Sequence, residues 1–143
     1  VLRAYQQAGY GTDSVELIEA HGTSTKVGDA TELETLGEVF TSIGTGDRVA
    51  IGSIKSQVGH LKAAAGMAGL LKATLSLHNR TIPPSAGFEQ PNTSVKWDEI
   101  PFYVPTTPTE WPPPPSGLPR RAGISAFGFG GTNASLVFLA CED

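Results

Sequence analysis

The sequence is almost without sulfur: among its 143 residues there is one cysteine, Cys141, and one methionine, Met67. A single thiol excludes an internal disulfide and fits a reducing, cytoplasmic setting. Proline is absent before Pro83 and then occurs eleven times. Long regular elements are therefore expected in residues 1–82. Residues 81–119 should be an irregular, proline-rich excursion, in which Pro112 to Pro115 exclude a strand interior. No apolar run reaches the ~18 residues of a membrane span, so no membrane partner is expected. Val1 to Tyr5 lacks the charged start and apolar stretch of a secretion signal. It also lacks an initiator methionine, as expected of a piece cut from a longer chain. The net charge is −4, and no basic run carries interleaved aromatics, which argues against a nucleic-acid partner. No metal site is assigned.

What is present is ordered. Residues 13–40 carry seven acids and one base, Lys26, while residues 48–80 carry five bases and no acid. Two differently solvated faces would produce this pattern, and so would a cationic approach for an acidic or phosphate-bearing partner. Residues 2–8 read as the end of a helix stopped by Gly9. Residues 15–20 and 49–54 read as short apolar strands. Residues 29–40 place Leu33, Leu36, Val39 and Phe40 on one helix face, with Asp29 as N-cap and Glu32 completing a capping box. Residues 61–78 form a second helix. Its first half (Ala63, Ala64, Ala65, Gly66, Ala68, Gly69) is small on nearly every side, as expected of a helix buried between layers. Residues 122–127 and 135–140 read as two closing strands. Strands alternating with helices and ending in a hairpin predict an α/β fold. Its sheet should be mixed but mostly parallel, and incomplete on its N-terminal side.

Three loops follow strands, where α/β proteins bind ligands. They are Glu19 to Thr25, Gly52 to His60, and Gly128 to Asn133. Together they hold two histidines, a lysine and several hydroxyls, a set suited to an active site. Each part also has a plainer reading: a hydrogen-bonded structural histidine, a solvated lysine, a tight glycine turn. His60 stands at the start of the small-residue helix. The positive end of a helix dipole disfavours imidazolium, and a neutral imidazole can still donate a hydrogen bond to a carbonyl oxygen. Lys55 could add positive charge to the same pocket.

The runs EAHGTST (19–25), GSIKSQVGH (52–60) and GFGGTN (128–133) resemble the β-ketoacyl synthases of the thiolase superfamily. LKAAAGMAGLLKA (61–73) and IPPS (82–85) are similar too. RRAGISAFGFGGTNA (120–134), reached through the proline-rich stretch with Trp111, is most like polyketide and polyunsaturated fatty-acid synthases. The resemblance implies the C-terminal half of a thiolase-like fold over residues 1–143. It also implies decarboxylative Claisen condensation of an acyl thioester with a malonyl-type extender. In that chemistry a Cys–His–His site loads an acyl chain on cysteine, and the histidines bind the malonyl thioester. His21 and His60 match those histidines, and Lys55 matches a lysine that supports the second of them. Thr23 and Thr25 match residues that bind the pantetheine arm. Phe129 matches a gating phenylalanine at the oxyanion hole. Asp29 and Glu32 match acids that help hold the lysine. No cofactor is bound directly; the 4'-phosphopantetheine arm of an acyl carrier protein is the implied substrate carrier. The implied partners are the N-terminal half of the same ketosynthase domain, an acyl carrier protein and, in the full domain, a second copy.

Three departures stand beside the resemblance. The cysteine motif of the N-terminal half is absent, and Cys141 lies far from any matching motif. The chain by itself is therefore expected to be inactive. Gly69 stands where many bacterial fatty-acid enzymes have glutamate. Ser135 stands where polyketide synthases usually have histidine, and reads as a strand position outside the catalytic set. A non-catalytic subunit resembling a chain-length factor is the alternative, although such a partner would need none of His21, His60 and Lys55.

Overall fold

A computed structural model describes residues 1–41 and 49–140. Cys141 lies outside the described residues. The helices are α1 (Leu2–Ala8), α2 (Lys26–Val39), α3 (Lys55–Val58) and α4 (Ala65–His78). The strands are β1 (Leu17–Glu19), β2 (Val49–Gly52), β3 (Thr81–Ile82), β4 (Phe102–Tyr103), β5 (Thr109–Glu110), β6 (Arg121–Phe127) and β7 (Asn133–Leu139). Helix α1 does stop at Gly9, whose φ of 73° is the left-handed conformation that glycine adopts at a helix end.

The main sheet runs β4-β2-β1-β6-β7. β1 is parallel to both β2 and β6, β4 is parallel to β2, and β7 is antiparallel to β6. This is the mixed, mostly parallel sheet the sequence predicts. Its centre is apolar on both faces because alternate residues of each strand point to opposite sides. Ile18, Val49 and Ile51 join Tyr5, Leu36, Phe40 and Phe102 on one side. Leu17, Ala50, Ala122 and Ile124 join Ala73, Leu77, Ile82 and Trp111 on the other. Phe40 and Phe102 are both fully buried, with edge-on rings 5.4 Å apart. Each contributes about 1.5–3 kcal/mol by its burial.

Two expectations need correction. Residues 81–119 are not wholly irregular: β3 and β5 pair antiparallel as a separate small sheet, and β4 extends the main sheet. Proline is tolerated there because the pairing uses its carbonyl. Val49 N–H donates to Pro101 O at 2.7 Å, and β4 is the edge of the main sheet among the described residues. Helix α4 is covered on one side only. Ala65, Gly69, Ala73, Ser76 and Leu77 are buried, whereas Met67, Leu71 and Leu75 are 66%, 58% and 49% exposed. These exposed residues continue into Val58 and Leu61, and Leu71 and Leu75 help line an apolar groove of about 590 Å³. Among the described residues no helix is long and apolar enough to cross a membrane.

Candidate active site

β1 and β2 end side by side, with Glu19 opposite Gly52. The chain leaving β1 carries His21 two residues on, and the chain leaving β2 carries Lys55 and His60. β6 ends at Phe127 on the other side of β1. The strand ends thus bring three sequence-distant loops to one edge.

The two imidazole rings lie 6.0 Å apart, centroid to centroid, at 84° to each other. Each ring is held the same way. Phe127 N–H donates to His21 Nδ1 at 3.2 Å, and Lys62 N–H donates to His60 Nδ1 at 3.0 Å. A backbone N–H can only donate, so each Nδ1 is an acceptor, and the proton of a neutral ring sits on Nε2. The two rings therefore offer two Nε2–H donors. His21 is half-buried and His60 exposed. Burial, the Lys55 charge and the second imidazole together hold His21 below the usual histidine range, against the pull of Asp29.

His60 does not stand at the first turn of the small-residue helix. Regular helix begins only at Ala65, beyond Leu61 and the short 3-10 turn Lys62–Ala64. The partner of His60 is instead one N–H of that turn, from Lys62, which adopts a φ of 53°.

Lys55 Nζ donates to the backbone carbonyl of His21 at 2.5 Å. Its contact is with the first histidine, where the resemblance pointed to the second. Burial lowers the lysine's pKa, opposed by Glu19 and Glu32. The capping box is not formed. Thr25 occupies the helix cap with an extended backbone and no side-chain cap bond, because α2 starts a turn early, at Lys26. The two acids turn back onto the loop instead. Asp29 Oδ1 accepts Ser24 N–H at 3.2 Å. Glu32 accepts His21 N–H at 2.7 Å and Gly22 N–H at 2.9 Å, so one buried carboxylate clamps the His21 turn. Burial raises the pKa of Glu32 against those two donors. Gly22 has a φ of 42°, and a Cβ there would meet Ser53 Cβ at 2.8 Å, so the turn needs glycine.

Thr23 and Thr25 place their hydroxyls 3.3 Å apart at the outer side of the loop. Phe129 opens the 3-10 turn Phe129–Gly131 just after β6, and its exposure of 105% means that its ring rests on none of the described residues. A cavity of about 380 Å³ lies behind the His21 loop, lined by Gly22, Asp29, Glu32, Ser53 and Trp97 among others.

Two features escaped the sequence reading. Phe127 packs its ring 5.2 Å from that of His21 as well as donating to it. Its strand-end position one residue before the GFGGTN run was the available signal. The second is a buried ion pair: Lys72 Nζ lies 2.7 Å from Glu19 Oε2, with side chains 8% and 3% exposed. Helical spacing places Lys72 three residues after Gly69, on the buried face, and a lysine there calls for an acid.

The sequence profile of the family "Beta-ketoacyl synthase, C-terminal domain" matches residues 1–89. This chain belongs to the β-ketoacyl synthase family. It is 42% identical over 140 residues to the hybrid PKS-NRPS synthetase pynA of Aspergillus niger, covering 98% of this chain and 4% of that protein. It is 43% identical over 146 residues to a polyunsaturated fatty acid synthase of a Thraustochytrium species, covering 98% of this chain and 5% of that protein. Among solved structures it superposes on ketosynthase twelve of the bacillaene polyketide synthase of Bacillus amyloliquefaciens. The TM-score is 0.92 and the identity 35%, over 99% of this chain and 25% of that one. A ketosynthase from module 6 of the bacillaene synthase of Bacillus subtilis matches at TM-score 0.90 and 40% identity, over 97% and 25% of the two chains. The fold is thus that of the C-terminal part of a ketosynthase, and the chain spans about a quarter of the solved ketosynthases it matches. The Gly69 departure within the family has a local counterpart. A Cβ at that position would stand 3.0 Å from Glu19 Cγ, so the space beside α4 is taken by an acid arriving from β1.

Proposed function

We propose that residues 1–143 form one ketosynthase unit that receives the malonyl-type thioester during decarboxylative Claisen condensation. The observation that carries this reading is the pair of imidazoles 6.0 Å apart, each with Nδ1 engaged by a backbone N–H. Two Nε2–H groups converging on one thioester carbonyl oxygen bind the substrate and polarise it. As the bond to the carboxylate breaks and CO2 leaves, its electron pair becomes the enolate, and the oxygen gains charge next to both donors. The enolate carbon then attacks the carbonyl carbon of an acyl-cysteine, and the thiolate departs. Neutral imidazoles suit this role because they stabilise the enolate without readily protonating it. Lowering of the His21 pKa by burial and by Lys55 favours the neutral form.

The remaining assignments follow the same reading. Thr23 and Thr25 present hydroxyls to the 4'-phosphopantetheine arm of an acyl carrier protein. Phe129, with its free-standing ring, gates the entrance beside the oxyanion hole. Asp29 and Glu32 hold the loop on which Lys55 acts. The acyl-carrying cysteine comes from the N-terminal half of the domain, which would cover the apolar face of α4, and the complete domain pairs with a second copy. Without that half, residues 1–143 transfer no acyl chain. A chain-length-factor-like role is not favoured, because such a protein has no use for two converging imidazole donors.

In the complete domain, His60→Ala should abolish CO2 release from a malonyl thioester while acylation of the cysteine persists. Full condensation by that variant would overturn the assignment.

A further inference from the structure

We propose that Glu19 is a positioning residue for the decarboxylation step, its carboxylate, with Lys72 as the buried counter-charge, holding the Lys55–His60 loop in place against the His21 loop. This rests on the reading of the site given above. Glu19 ends β1 two residues before His21, and its side chain is buried against α4. Its Oε2 accepts from Lys72 Nζ at 2.7 Å, and its Oε1 accepts from Ile54 N–H at 2.6 Å. Ile54 is the residue from which α3 starts.

From Ile54 onward the loop is a short ladder of backbone bonds. Ile54 O accepts from Gln57 N–H at 2.9 Å and Val58 N–H at 3.1 Å, and Lys55 O accepts from Gly59 N–H at 3.0 Å. Where Ile54 is pinned, Lys55 and His60 are placed. One carboxylate thus joins the end of β1, the start of α3 and the middle of α4. The room for it is built in. A Cβ on Gly69 would press on Glu19 Cγ at 3.0 Å. A buried ion pair adds little stability over an apolar replacement of similar volume. Its value here lies in the second acceptor oxygen, which an apolar replacement lacks.

The test uses the complete ketosynthase domain and two double variants that both remove the charges. Glu19→Gln with Lys72→Met keeps an oxygen to accept from Ile54, and Glu19→Leu with Lys72→Met does not. Two reactions are followed: CO2 release from malonyl-pantetheine, and cysteine acylation by an acyl-pantetheine thioester, read by intact mass. The Gln variant should decarboxylate within about threefold of the unmodified domain. The Leu variant should lose at least tenfold, with acylation within about threefold in both. Equal decarboxylation in the two variants, or a parallel loss of acylation, overturns the proposal. Should the Leu variant not fold, Glu19→Asp keeps the charge but shortens the reach. It should lower decarboxylation at least threefold with acylation unchanged, and full retention overturns the proposal. An unmodified domain that releases no CO2 would instead overturn the reading of the site itself.

Discussion

Replacing Glu32 tests how the His21 turn is built. Its carboxylate, on a buried residue, is the acceptor for two consecutive backbone donors, His21 N–H at 2.7 Å and Gly22 N–H at 2.9 Å. Glu32→Ala strands both. A buried donor left without a partner costs about 1–3 kcal/mol, so two cost about 2–6 kcal/mol. The cavity of about 380 Å³ beside Glu32 decides where in that range the loss falls, since it admits water to the vacated donors. The expected loss is therefore near the lower end, about 2 kcal/mol, read as a shift of the urea midpoint of the complete domain. Decarboxylation should fall at least tenfold, because His21 rides on the released turn. Glu32→Gln keeps one acceptor and should cost roughly half as much.

The pH dependence of that cost has a definite sign. Burial raises the carboxyl's pKa in the folded chain, so the native state holds this proton more tightly than the unfolded chain does. The stability tied to that proton is present below the unfolded value of about 4.3 and is lost as pH rises through the folded one. Glutamine carries no such proton, so the cost of Glu32→Gln should shrink as pH rises across that window. An alanine variant within about 0.5 kcal/mol of the unmodified domain would refute the clamp, and a glutamine cost that grows with pH there would show that the two donors outweigh burial in setting the carboxyl's pKa.

Lys55→Ala removes a charge that depresses the His21 pKa. The acid limb of the decarboxylation rate, which falls as His21 takes up a proton below the usual ~6.5, should move to higher pH; an unmoved limb would count against the contact. Gly69→Ala puts a Cβ 3.0 Å from Glu19 Cγ, which is held by Lys72 and Ile54 and cannot yield easily. It should destabilise the domain by about 1–3 kcal/mol in urea, and a change under about 0.5 kcal/mol would contradict that packing.

Much of this was legible in the sequence because it depends on local pattern. Gly9 marks the end of α1, and the short apolar runs of residues 15–20 and 49–54 mark β1 and β2 as strands. The motif runs place His21 and His60 after strands, where the fold then unites them. What was not legible depends on the third dimension. Asp29 and Glu32 have the spacing of a capping box, yet the helix starts at Lys26, and a loop with bare N–H groups competes for both carboxylates. The segregated charges of residues 13–40 and 48–80 suggested two faces, but β1 and α4 meet, and Glu19 finds Lys72 across 53 residues of sequence. The short strand β4 was hidden between prolines because its pairing to β2 is long-range and uses a proline carbonyl.

The central claim is that His21 and His60 act together through their Nε2–H groups on one oxygen. A crystal structure of the complete domain with a non-decarboxylating malonyl-thioester analogue tests it most directly. Both Nε2 atoms should lie within hydrogen-bonding distance of the thioester carbonyl oxygen, with the Nδ1 contacts to Phe127 and Lys62 retained. An analogue whose carbonyl meets neither ring, or only one of them while the other turns away, would contradict the account.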